Sequence, residues 1–121
     1  MQEINRSCNF NILHVCDYQR PYSDLTPFRD YPGHIVNAPL ELTTGEISPK
    51  EVARIFRRPY MGGMNRKGVL ATGSREQVAE AAETVLREAP ERFMLGADCT
   101  VPSETPWDNL KTAIEVAHSH K

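Results

Sequence analysis

The chain has 121 residues, 40% hydrophobic and 25% charged, with a formal net charge of -2. This is one domain's length, with an ordinary soluble composition and enough chain for a modest core. The charge gives no reason to expect nucleic acid or an anionic membrane as partner, and no apolar run approaches the ~20 residues that span a bilayer.

The first residues, Met1-Gln2-Glu3-Ile4-Asn5-Arg6, are polar and carry no visible signal peptide. Three cysteines then argue for a reducing, cytoplasmic setting and against a disulfide framework. Thiols there are free, metal-bound or reactive. Residues 1–9 read as an irregular lead-in to a single domain over 10–121, and Cys8 reads as an unpaired structural thiol.

The first strand is expected over 11–17, Asn11-Ile12-Leu13-His14-Val15-Cys16-Asp17. Side chains alternate across a strand, so His14 and Cys16 point to the same face. A histidine and a cysteine together at a strand's end are half of a zinc site. The segment 18–32 holds Pro21, Pro27 and Pro32. Leu25 and Phe28 there could form the inner face of a short helix, which Pro27 limits. After the turn signal Pro32-Gly33, a second strand is expected over 34–38.

Ser48-Pro49-Lys50-Glu51 is a capping box, with Ser48 at the cap and Pro49 at the first helical position. Val52, Ile55 and Phe56 follow at helical spacing, and Pro59 ends the helix. A third short strand covers 60–62. Gly62 and Gly63 then suit a tight bend or a close backbone approach, with no phosphate-loop pattern. Ser74-Arg75-Glu76-Gln77 opens a second capped helix, with an apolar stripe of Val78, Ala82, Val85, Leu86 and Ala89 that Pro90 stops. The fourth strand is 92–97. Thr105-Pro106-Trp107-Asp108 caps a last helix with Trp107, Leu110, Ile114 and Ala117 on its inner face, Trp107 anchoring it to the sheet. His118 and His120 read as frayed tail residues before Lys121.

Strand and helix thus alternate four times, which implies parallel strands with right-handed crossovers. Short, continuously apolar strands suit a sheet covered by helices. The fold class is α/β.

Three stretches carry a family resemblance: Leu13-His14-Val15-Cys16, Met61-Gly62-Gly63-Met64-Asn65, and Leu95-Gly96-Ala97-Asp98-Cys99-Thr100-Val101-Pro102 with Thr105-Pro106-Trp107-Asp108-Asn109. Together they resemble the uroporphyrinogen decarboxylase superfamily, from Phe10 onward. That superfamily includes the decarboxylases and the corrinoid-dependent methyltransferases, among them those acting on coenzyme M. The resemblance implies the C-terminal half of a (β/α)8 TIM barrel, since a whole barrel usually takes ~250 residues.

The methyltransferases carry a His-x-Cys and a distant Cys as zinc ligands, and His14, Cys16 and Cys99 match them. On spacing alone these three read first as core or rim residues; the resemblance assigns them to a metal. The match has departures. Asp17 stands where the methyltransferases usually have Gly. Asn65 occupies an Asp position of a decarboxylase loop. Asp98 stands where the decarboxylases have a histidine, and it is the catalytic candidate. The decarboxylases' catalytic Asp and anchoring arginines fall in the absent N-terminal half. Asp17 or Asp98 could accept a hydrogen bond from the ring N–H of His14, or be exposed loop carboxylates. Asn37, Asn65 and Arg66 follow strands and are the substrate-binding candidates, Arg66 for an anionic group such as a sulfonate or carboxylate.

The resemblance thus implies zinc-dependent methyl transfer to a small-molecule thiol, with methylcobalamin on a separate corrinoid protein as donor. Three protein ligands leave the fourth zinc position open, the pattern of a reactive site. The alternatives are decarboxylation of uroporphyrinogen type in porphyrin biosynthesis and a non-catalytic half-barrel. As part of a methyltransferase or a carboxy-lyase, the isolated chain is expected to be inactive. Half a barrel exposes two sheet edges, the first strand and the last. The missing N-terminal half-barrel or a second copy, as a homodimer, is expected to cover them.

Overall fold

The structure, a computed structural model, describes residues 2–120. Met1 and Lys121, the ends of the lead-in and the tail, lie outside them. The lead-in, expected to be irregular, carries a helix instead, α1 (Gln2–Ser7). Glu3 holds it locally, taking the Arg6 guanidinium and the Ser7 hydroxyl within one turn.

Four strands build the main sheet: β1 (Ile12–His14), β2 (Ile35–Asn37), β5 (Tyr60–Met64) and β6 (Phe93–Ala97). They lie in the order β1-β2-β5-β6, and every pairing is parallel. His14 pairs with Asn37, Asn37 with Met61, and Met61 with Met94, one row across the whole sheet. This is the expected architecture, half of a (β/α)8 barrel, with β1 and β6 at its edges.

The connections vary more than the pattern predicts. Between β1 and β2 there is only a 3-10 turn, Thr26–Phe28. Prolines on both sides and within deny the segment a longer helix. Its Leu25 is nonetheless fully buried. After β2 comes a small antiparallel hairpin of β3 (Glu41–Leu42) and β4 (Gly45–Glu46), then α2 (Pro49–Phe56). Two helices, α3 (Val69–Thr72) and α4 (Arg75–Arg87), join β5 to β6. The last helix is α5 (Trp107–Ser119). Among the described residues no helix is long and apolar enough to cross a membrane.

Two apolar clusters hold the layers together. Leu13, Val15, Val36, Val52, Phe56 and Tyr60 join the first strands to α2. Met64, Leu70, Val78, Ala82 and Ala113 join β5 to α3, α4 and α5. Each large apolar side chain so buried stabilises the fold by ~1.5–3 kcal/mol. Leu13 and Val15 are buried while His14 and Cys16 are exposed, so the expected alternation holds: the apolar pair faces the helices and the polar pair faces away. Gly62 and Gly63 carry positive φ values of 149° and 100°. A side chain at Gly62 would meet the Tyr60 hydroxyl, and one at Gly63 would meet Val85. Close approach is the reason for glycine at both positions.

The expected inner face of α5 is corrected in part. Leu110 packs against the core, but Trp107 is 76% exposed and Ile114 54% exposed, while Asn109, Thr112 and Ala113 are buried. Asn109 sets this face of the helix inward by donating to the carbonyls of Leu70 and Gly73. Thr105 does not cap it: Pro106 holds that position, and the buried Thr105 hydroxyl has no hydrogen-bond partner among the described residues. Nor are His118 and His120 frayed. His118 lies within α5, and His120 stands 3.6 Å from Glu83.

Candidate metal centre

Three strand spacings separate β1 from β6, which would be ~14 Å in a flat sheet. Yet the Cys16 and Cys99 sulfurs, each two residues beyond the end of one of these edge strands, are 3.6 Å apart. The sheet therefore curls far enough for side chains just beyond the C-terminal ends of its two edge strands to meet, while among the described residues the edges themselves stay unpaired. Cys99 Sγ is also 3.5 Å from His14 Nε2. The ligand atoms of His14, Cys16 and Cys99 all lie within 4.8 Å of one another.

The two spacings from Cys99 fit a metal. Two thiolates on a tetrahedral zinc stand ~3.8 Å apart, and a thiolate and an imidazole nitrogen ~3.6 Å apart. The donor set, one nitrogen and two sulfurs, is a zinc set. His14 and Cys16 are exposed and Cys99 is half-buried, so the group opens to solvent.

The outer partner of His14 is neither aspartate. His14 Nδ1 is 2.5 Å from Asn37 Oδ1. The Asn37 amide nitrogen donates to the carbonyls of Met61 (2.8 Å) and Ala97 (3.1 Å). With its NH2 committed to two carbonyls, Asn37 can offer His14 only an acceptor. Nδ1 must therefore carry the proton, leaving the Nε2 lone pair for Cys99's side of the cluster. Asn37, the substrate-binding candidate, is 5% exposed and spends its side chain behind His14.

Asp98, the catalytic candidate, has both oxygens engaged by one residue. Arg66 donates its backbone N–H to Oδ1 and its Nη1 to Oδ2, each at 2.8 Å. The same Nη1 reaches Asp17 Oδ1 at 3.2 Å. All three side chains are nearly out of solvent. Burial works against the Arg66 charge, while Asp98 and Asp17 support it with help from Cys99; the balance raises its pKa above the ordinary arginine value. Two carboxylates on one guanidinium leave a net negative charge, which disfavours the anionic substrate expected at Arg66. Asn65 is exposed, donates to Glu41 Oε1 at 2.9 Å and accepts from the Lys67 N–H at 2.8 Å. With Arg20, Glu41, Arg66 and Asp98 it lines a cavity of about 320 Å³ beside Asp17.

The structure thus brings His14, Cys16 and Cys99 together, joins Arg66 to Asp98, and sets Asn65 at the rim. Two partnerships went unread in the sequence. For Asn37 the signal was present, as a polar residue closing the apolar run Ile35-Val36. For Asp17 nothing local signals an arginine 49 positions away.

Comparison with known proteins agrees with this architecture. The profile of the family described as Uroporphyrinogen decarboxylase (URO-D) matches residues 12–120. Among solved structures, a methyltransferase from Methanosarcina mazei superposes with a TM-score of 0.70 at 19% identity, over 97% of this chain and 33% of that one. The chain therefore spans about a third of that protein's length. No curated protein matches.

Proposed function

This chain belongs to the uroporphyrinogen decarboxylase (URO-D) family, and on that premise we propose that it is part of a zinc-dependent enzyme transferring a methyl group from a corrinoid to a thiol. One observation carries the reading: the ligand atoms of His14, Cys16 and Cys99 converge within 4.8 Å of one another from opposite edges of one sheet, with Cys99 at near tetrahedral-zinc spacing from each of the other two. Bound there, zinc would supply the Lewis acidity that keeps a substrate thiol ionised at neutral pH. The chain's own residues do the rest. His14 and the two cysteines hold the ion. Asn37 fixes the imidazole in the tautomer that presents Nε2. The exposed side of the cluster leaves a path for the acceptor thiol, and methylcobalamin on a corrinoid protein is the donor.

The chain spans only a third of the methyltransferase it superposes on, so the activity belongs to a whole barrel. We assign the free edges β1 and β6 to the remaining strands of that barrel. An apolar groove of about 660 Å³ runs beside β6, lined in part by Met94, Trp107, Leu110 and Ile114, and the same strands would cover it.

Metal analysis tests the proposal. Protein purified without chelator should carry about one zinc per chain, and Cys99→Ser should carry far less. Zinc absent from both proteins would remove methyl transfer and leave decarboxylation, or a half-barrel without catalysis.

A further inference from the structure

The two thiols sit in dipeptides of mirrored order, Cys16-Asp17 and Asp98-Cys99. Each aspartate is bonded to the same nitrogen, Nη1 of Arg66. Neighbouring α-carbons are only ~3.8 Å apart, so fixing the two carboxylates fixes the backbones that carry the two sulfurs. We propose that Arg66 is the positioning residue of the thiol pair, its guanidinium fastening the Cys16 end of β1 to the Cys99 end of β6 at the spacing a metal requires.

The energetics favour this role over simple stabilisation. Removing three charged groups from water is costly, and a buried ionic cluster often adds no more stability than well-packed apolar side chains. Such a cluster does fix geometry, because charge-assisted hydrogen bonds are directional. The connections differ in strength on the two sides. Asp98 is held by two bonds from Arg66, and its own N–H donates to the Met64 carbonyl at 3.0 Å. The Cys16 side has Asp17 on Nη1 through a single bond at 3.2 Å, with Tyr22 Oη donating to the Cys16 carbonyl at 2.7 Å and the Val15 N–H donating to the Asn37 carbonyl at 2.8 Å. Asp17 is thus the weaker arm of the link, and cutting it leaves the Arg66–Asp98 pair intact.

The metal part of this inference rests on the function proposed above; the thiol part does not. The thiol part is read without metal, by equilibration with glutathione in a Cys8→Ser background. Cys16 and Cys99 together lose two electrons and form one disulfide, while one glutathione disulfide accepts them and becomes two thiols. The equilibrium constant is the effective concentration of one sulfur at the other. Asp17→Ala should lower it ~10-fold, the loss expected when one charge-assisted bond no longer holds a chain end. Asp17→Asn, which keeps the shape and removes the charge, should lower it ~3-fold. Asn109→Ala serves as the control: it removes buried hydrogen bonds to Leu70 and Gly73, lowers stability, and should leave the thiol equilibrium unchanged. Zinc affinity in the same series should fall with the thiol constant. Unchanged thiol constants in both Asp17 variants, with both folded, would overturn the role of Arg66. Absence of zinc binding alone would overturn only the function proposed above.

Discussion

At the end of β2 one amide group reaches all four strands of the sheet. Asn37 accepts from His14 on β1 and donates to Met61 on β5 and Ala97 on β6. Asn37→Ala leaves the imidazole free to turn and two strand carbonyls without their donor. Zinc affinity should fall ~10–100-fold, measured by competition with a chromophoric chelator. Stability should fall by ~1–3 kcal/mol, measured by urea unfolding. A variant with unchanged affinity would make Asn37 a strand fastener only. At this scale the period of two made the shared face of His14 and Cys16 legible. The contacts of Asn37, Asp17 and Arg66 were not, because each joins residues from separate strands whose spacing in sequence carries no trace of the curl that unites them.

Helix ends separate what is written locally from what is not. Ser74 and Gln77 complete a capping box in both directions. At α2, Ser48 accepts from the Glu51 N–H, but the Glu51 side chain turns to Arg54 and the reciprocal half is lost. Ser74→Ala should cost ~1 kcal/mol in urea unfolding. Thr105→Val should be neutral or slightly stabilising, within ~0.5 kcal/mol, because it removes a hydroxyl that is buried without a partner. A clear loss there would mean that the hydroxyl does find a partner in solution. Both caps of α2 and α4 were legible because their signals lie within four residues. The β3–β4 hairpin was not, since two residues per strand leave no periodicity to read. The same shortage of local signal hid the missing helix of the first crossover, where prolines could be read as limits but not as a veto.

Across the whole molecule, the alternation of four parallel strands with connecting segments followed from the pattern of apolar runs. The placement of Trp107 did not, because periodicity identifies an apolar face without saying which neighbour meets it. Trp107 lies on the groove beside the β6 edge, and it is the chain's one tryptophan, so its fluorescence reports on that face alone. In the isolated chain the emission should be that of a largely solvated indole, fully open to acrylamide. Adding the rest of the barrel should shift it to shorter wavelength and protect it. The same shift on raising the concentration of this chain alone would point to a second copy as the occupant. The curl of the sheet has a further consequence. Two of the three donors stand at one margin of the sheet and the third at the opposite margin, so an ion gripped there would act as a hoop on a stave. Opening the arc would pull the donors out of reach, and occupancy would resist the opening. With a metal bound there, its content and the sheet's curvature would be one mechanical variable, and stripping the ion should loosen the strand margins before it disturbs the helices.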